Sequence, residues 1–117
     1  MLEIYTYSGC DTCRQAVKYL QARKIPFHEI PIRETPPSLA ELRAMRKAQG
    51  DLRKLFNTAG ADYRALGLSK KLPTLEEPDA LLLLAENGNL VKRPFLIGDN
   101  IHLTGFKKDE WDEAISD

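Results

Sequence analysis

The chain has 117 residues, 43% of them hydrophobic, which is enough to bury the core of one domain without covalent staples. Lysine plus arginine and aspartate plus glutamate stand at 17 each, so net charge supplies no drive toward a nucleic-acid backbone or an anionic membrane surface. The opening MLEIYTY lacks the basic-then-apolar signature of a secretion signal, and the longest apolar run, Ala80 to Ala85, is far too short for a membrane span; both point to the cytoplasm.

Leu2, Ile4 and Tyr5 to Tyr7 favour a first strand, which Ser8-Gly9 stops. From Cys13 the apolar positions Cys13, Ala16, Val17 and Leu20 recur at helical spacing until Pro26 forces Ile25 out of helical geometry. Phe27 to Ile32 supplies a second strand, and the strand, helix, strand order has the length of a βαβ unit with a right-handed crossover. Pro36-Pro37 then breaks the chain. Ser38 with Glu41 three residues later predicts a capping box for a helix through Leu39, Leu42 and Met45, closed at Gly50.

Leu52, Leu55 and Phe56 predict a short helix before the loop Asn57 to Gly60, and Asp62 is the candidate cap of a further turn ending at Gly67. Thr74 with Glu77 repeats the capping signal ahead of Leu81 to Leu84, a buried helix that Asn87-Gly88 closes. Phe95 to Ile97, the turn Gly98-Asp99-Asn100 and Ile101 to Thr104 predict a hairpin, followed by a last helix carrying Trp111, Ala114 and Ile115 on one face.

The stretch YSGCDTCRQA holds both cysteines, Cys10 and Cys13. A zinc site would need further ligands, and beyond the pair the chain offers only His28 and His102, which disfavours a metal. A disulfide closing so small a loop removes little unfolded-state entropy, so a purely structural pair is also a weak reading. In a reducing compartment, redox or nucleophilic use is the better one.

Cys10 stands where a strand hands over to a helix, so the amides of Thr12 and Cys13 can point at its sulfur and stabilise a thiolate. A free cysteine, with a pKa of about 8.5, is only a few per cent thiolate at pH 7, and lowering it by about one to two units raises the reactive fraction roughly ten-fold or more. Cys13, one turn later, is placed to resolve a mixed disulfide on Cys10. Asp11 raises the pKa of a neighbouring thiol and Arg14 lowers it, and the balance between them stays open at this level. In NLVKRPFLI, Arg93 precedes Pro94 at the start of a strand; prolyl bonds are cis in only about 5 to 6% of cases, so local sequence reads here as a proline opening a strand beside a surface charge.

YSGCDTCRQA, LFNTAGADYRALGL, KRPFLI and HLTGF, in this order, run through essentially the whole chain. Together they resemble the arsenate reductase-like branch of the thioredoxin superfamily, which contains glutaredoxin-linked arsenate reductases and the Spx regulators. The resemblance implies an α/β thioredoxin-like fold: a mixed sheet built from a βαβ unit and a C-terminal β-hairpin with a final helix, one domain over 1–117, and a helical insertion over about 36–88. It implies that Pro94 is cis and faces the cysteine loop, that Cys10 is the catalytic or redox-sensing thiol, and that Arg93 lies beside its sulfur. Gly9, Asp11 and Thr12 join Pro94 as the expected substrate or partner contacts.

Two further arginines of arsenate reductases have no counterpart, their places falling at Asn57 and Gly105. Losing two charge-assisted contacts costs on the order of several kcal/mol in all, which argues against efficient arsenate reduction. The second cysteine follows the Spx arrangement. Two expectations result. In the first the protein is a thiol oxidoreductase without a bound cofactor, restored by glutathione, glutaredoxin or thioredoxin. In the second it is a redox-sensing regulator that binds the alpha subunit of RNA polymerase without touching nucleic acid.

Overall fold

The computed structural model describes residues 1–115. Strands β1 (Leu2–Thr6), β2 (Phe27–Pro31), β3 (Phe95–Gly98) and β4 (Ile101–Thr104) form one sheet in the order β2-β1-β3-β4. β1 runs parallel to β2, joined through α1 (Asp11–Ala22), and antiparallel to β3, which turns back into β4. The sheet is therefore mixed.

Alternation along the strands sorts side chains into two cores, because successive residues of a strand point to opposite faces. Leu2, Ile4 and Leu96 face one side, where Ala16, Tyr19 and Leu20 of α1 pack with Trp111 of the last helix, α6 (Lys108–Ile115). Tyr5, Phe95 and Ile97 face the other, under the helices between β2 and β3: α2 (Leu39–Gln49), α3 (Ala61–Ala65), α4 (Leu68–Lys71) and α5 (Glu77–Glu86). A 3-10 turn at Leu52–Leu55 follows α2, as the apolar spacing there predicts.

The capping box on α2 forms in full: Ser38 Oγ accepts from the Glu41 amide at 3.2 Å, and Glu41 Oε1 accepts from the Ser38 amide at 2.9 Å. The same Oε1 accepts from the buried Tyr5 hydroxyl at 2.7 Å, so this helix start is tied to β1. Gly50 closes the helix in a left-handed conformation, φ 77°. The turn Gly98 to Asn100 carries positive φ at all three residues, as a tight hairpin needs.

Several local expectations fail for identifiable reasons. Strand β2 stops at Pro31, and Ile32 is buried beyond it with its amide on Thr6 O at 2.9 Å. The Thr74–Glu77 capping signal is not used: α5 starts after Glu76 without a side-chain cap, and Thr74 Oγ1 donates instead to Lys71 O at 2.7 Å, closing a 3-10 turn. Asp62 lies inside the first turn of α3 rather than capping it, and its carboxylate accepts from Asn87 Nδ2 at 3.0 Å. Ala114 is exposed, leaving Trp111 and Ile115 as the packed face of α6.

Gly88 follows α5 with no left-handed backbone; its lack of a side chain is needed because a Cβ there would stand 1.9 Å from Ile32 O. Gly88→Ala should therefore destabilise the protein by about 3 kcal/mol or more, since backbone must move. Gly50→Ala, which meets only open space and backbone strain, should lose about 1 kcal/mol. Urea midpoints of the two variants check this; equal losses would contradict the packing argument.

Candidate functional site

After β1 the chain turns through Tyr7, Ser8 and Gly9, and the Cys10 amide donates back to Tyr7 O at 3.0 Å. Arg14 pins the turn from the helix side, its Nη1 donating to Ser8 O at 2.7 Å. Cys10 is thereby fixed as the N-cap of α1 with extended φ −100° and ψ 112°, and its Sγ accepts from the Cys13 amide at 3.2 Å. Of the two amides expected at this sulfur, that of Cys13 makes the contact. Both cysteines are free thiols; Cys10 is half-buried and Cys13 is 1% exposed.

Burial pushes the Cys13 thiol up to about 12, helped by its hydrogen bond to Cys10; the Tyr7 backbone and the Arg93 charge pull in the opposite direction. Cys13 is thus protonated in the resting protein. Asp11 and Arg14, which act oppositely on the cysteine motif, are paired with each other at 3.3 Å, and Asp11 also accepts from Gln15 at 3.1 Å. Both charges are exposed and largely spent on one another. Gly9 is required by Tyr7, whose ring a Cβ at position 9 would approach to 2.6 Å.

Arg93 and Pro94 open β3, which pairs with β1 in the register Tyr5 to Phe95. This brings them to the end of the sheet from which the cysteine turn departs. The Arg93–Pro94 bond is cis, as the resemblance implies, and Pro94 is buried with its carbonyl accepting from Gly105 N at 2.8 Å. The Arg93 guanidinium lies over Tyr7, 5.0 Å from the ring centroid, and its Nη1 is buried with no hydrogen-bond partner among the described residues. His28 and His102 sit on β2 and β4, the two opposite edges of the sheet.

Two residues that sequence reasoning passed over complete this corner. Tyr7 receives a second guanidinium, that of Arg33, at 4.7 Å. Arg33, Arg93 and Tyr7 line a cavity of about 230 Å³ with Asn57 and Asp62. Arg33 follows β2 in a loop, and no spacing marks it; only the parallel pairing of β2 with β1 sets it beside Tyr7. Thr12, by contrast, lines a separate groove of about 460 Å³.

This arrangement can support thiol chemistry at one accessible sulfur with a second, concealed thiol beneath it. The chain is 43% identical over 113 residues to the uncharacterized protein YusI of Bacillus subtilis, covering 96% of each. It is 33% identical to the global transcriptional regulator Spx of Enterococcus faecalis, covering 94% of this chain and 83% of that one. Among solved structures, an ArsC family related protein from Bacteroides fragilis superposes with a TM-score of 0.90 at 38% identity, covering 97% of this chain and 96% of the other. A possible arsenate reductase from Streptococcus mutans superposes at 0.88 with 37% identity, covering 96% and 98%. The ArsC family model matches residues 5–114, and with its mixed sheet, cysteine-capped first helix and cis Arg93–Pro94 bond this chain belongs to the ArsC family.

Proposed function

We infer that the protein is a thiol oxidoreductase in which Cys10 is the nucleophile and Cys13 the resolving thiol. The observation that carries this reading is the stacking of a half-exposed Cys10, fed by a helix amide, over a buried and protonated Cys13. The Cys10 thiolate attacks one sulfur of a substrate disulfide, breaking the S–S bond and releasing the other sulfur as a thiolate. Cys13, deprotonated, then attacks Cys10 Sγ; the mixed disulfide breaks, the substrate's second thiol leaves reduced, and Cys10 and Cys13 become the oxidised pair.

The electrostatics around Cys13 support this order. Burial of Cys13 persists throughout, but its hydrogen bond to Cys10 and the Cys10 charge both disappear once Cys10 carries a partner. The Tyr7 backbone and Arg93, which favour the Cys13 thiolate, remain. Arg93 also offers its unpaired Nη1 to an anion or to a developing thiolate, and Pro94 shapes the partner groove. Glutathione, glutaredoxin or thioredoxin returns the pair to dithiol.

A second reading follows from the identity to the Spx regulators: the same pair is a switch, and the partner is the alpha subunit of RNA polymerase. Gly50, roughly where the resemblance to Spx regulators implies a contact glycine, is exposed with open space above it, although its left-handed φ of 77° already accounts for it as a helix cap.

Three measurements separate these. Iodoacetamide at neutral pH should label Cys10 at least ten-fold faster than Cys13, and Cys13 labelling should stay slow until the pH passes well above 9, because its raised pKa keeps the thiol protonated below that range. Preferential Cys13 labelling would reverse the assignment. Arsenate-dependent oxidation of glutathione with glutaredoxin should be weak, given Asn57 and Gly105, whereas turnover of a small disulfide should be lost in Cys10→Ser; disulfide turnover that survives this change removes Cys10 as nucleophile. Retention of the polymerase alpha subunit on the immobilised protein, changing between reduced and oxidised forms, would favour the switch; no retention in either form excludes it.

A further inference from the structure

The groove that Thr12 enters has a lining quite unlike the balanced charge of the whole chain. Arg53 and Lys54 come from the turn after α2, Lys92 from the loop before β3 and Lys107 from the start of α6, against the single carboxylate of Glu110. Glu110 is itself engaged by Lys107 at 3.8 Å. Among the described residues Arg53, Lys54 and Lys92 form no ion pair, and all three are exposed. The groove therefore carries an excess of positive charge, with Glu110 the single carboxylate in its lining.

Hydrogen bonds join the elements around the cleft. The Lys92 amide donates to Leu55 O at 2.8 Å, and Thr104 Oγ1 donates to Lys54 O at 3.0 Å. Gln49 Nε2 donates to His102 O at 2.8 Å, joining the end of α2 to β4. Phe56 contributes an apolar floor. Gly105, in a left-handed conformation with φ 70°, leaves room for the Lys92 side chain, whose Cε would meet a Cβ there at 3.2 Å. Thr12, two residues from the reactive cysteine, lines the cleft.

We propose that this basic groove is the docking site for an acidic segment of a protein substrate, which it delivers to Cys10. Solvent-exposed ion pairs are worth only about 0.2–1 kcal/mol each, so the unpaired Arg53, Lys54 and Lys92 give transient docking and faster encounter rather than a stable complex. That is the behaviour required of a partner that must leave after each thiol exchange. Glutathione carries two carboxylates and an ammonium, and gains less from a row of cations than a segment with several carboxylates in sequence.

The thiol-delivery part of this inference rests on the proposed role of Cys10, so the test has two arms. In the first, binding of a fluorescein-labelled, cysteine-free Gly/Glu peptide is followed by anisotropy at low and high salt. Wild type should bind at low salt and lose binding at high salt, and the double variant Lys54→Glu/Lys92→Glu should bind about ten-fold or more weakly. Arg53→Glu is a second variant with a similar expected loss; each change reverses an exposed charge and leaves the backbone hydrogen bonds in place.

In the second arm, Cys10 is reacted with mixed-disulfide peptides that differ only in acidic, neutral or basic flanks. The acidic-to-neutral rate ratio should be about ten at low ionic strength and fall to one or below in Lys54→Glu/Lys92→Glu. Absence of peptide binding in the first arm, or a ratio of one in wild type, overturns the groove. So does glutathione disulfide matching the acidic peptide's rate, or a random oligonucleotide displacing the peptide at lower concentration than unlabelled peptide does. Binding in the first arm with no exchange in the second upholds the groove and removes the oxidoreductase reading.

Discussion

The antiparallel pairing of β1 with β3 is the constraint from which the site follows. Tyr5 opposite Phe95 sets the last turn of β1 against the first residue of β3, so the cysteine turn and the Arg93–Pro94 segment meet at one end of the sheet although they are far apart in sequence. The register is held by burial. Phe95, Leu96 and Ile97 are all buried, the first and third under α2 and α5 and the second under α1 and α6, with Tyr5 and Phe95 in edge-to-face contact at 5.6 Å. A slip of one residue would exchange those faces, and each side chain of this size contributes about 1.5–3 kcal/mol through burial. An exposed charge beside a thiol is worth far less. The electrostatics of the site are inherited from hydrophobic packing and could not impose the register themselves.

The same division of labour applies to α1. Its C-terminal half is clamped: Tyr19, Phe106 and Trp111 form an edge-to-face cluster, and the Trp111 indole donates to Gly105 O at 3.1 Å. Asp112 accepts from Lys108 at 2.8 Å, from the Tyr19 hydroxyl at 2.6 Å and from Arg23 at 2.9 Å, with Lys108 and then Tyr19 holding its carboxyl below the usual range. The N-terminal half carries the cysteine motif, and there the helix amide of Cys13 is spent on a sulfur rather than on an oxygen cap. Serine, threonine or aspartate would cap such a helix start better. Cysteine at this position sacrifices some helix stability for a reactive group held in a defined orientation.

Much of this could be read from residues alone, wherever the determinant is local. Ser38 with Glu41 is a capping box because both partners lie within one turn, and Gly50 stops α2 through its own backbone freedom. Thr74 with Glu77 has the same spacing and fails, since Thr74 is already engaged in the preceding 3-10 turn. Gly88 illustrates the opposite case: it reads as a helix cap, yet it is required by the approach of Ile32, distant in sequence. The cis bond at Pro94 became an expectation only through resemblance to a family. Arg33 was invisible from either direction, because its meeting with Tyr7 depends on the β1–β2 pairing and on the path of a loop beyond it.

The two positions where arsenate reductases carry further arginines now have distinct surroundings. Asn57 lines the small cavity of Arg33, Arg93 and Tyr7, so cationic charge is present at that corner, Arg33 bringing it from the loop after β2 rather than from the inserted helices. An arginine stacked on a ring is held in place, however, and Arg33 is exposed, so it screens an oxyanion less well than a buried, converging pair would. Gly105 lines the other cavity, where any side chain would crowd Lys92 in a backbone conformation that favours glycine. An arginine there would fill the basic cleft, whereas glycine leaves it clear. The two positions thus differ in kind: Asn57 stands among the cations and ring of a small cavity, while Gly105 keeps the basic cleft clear of a side chain.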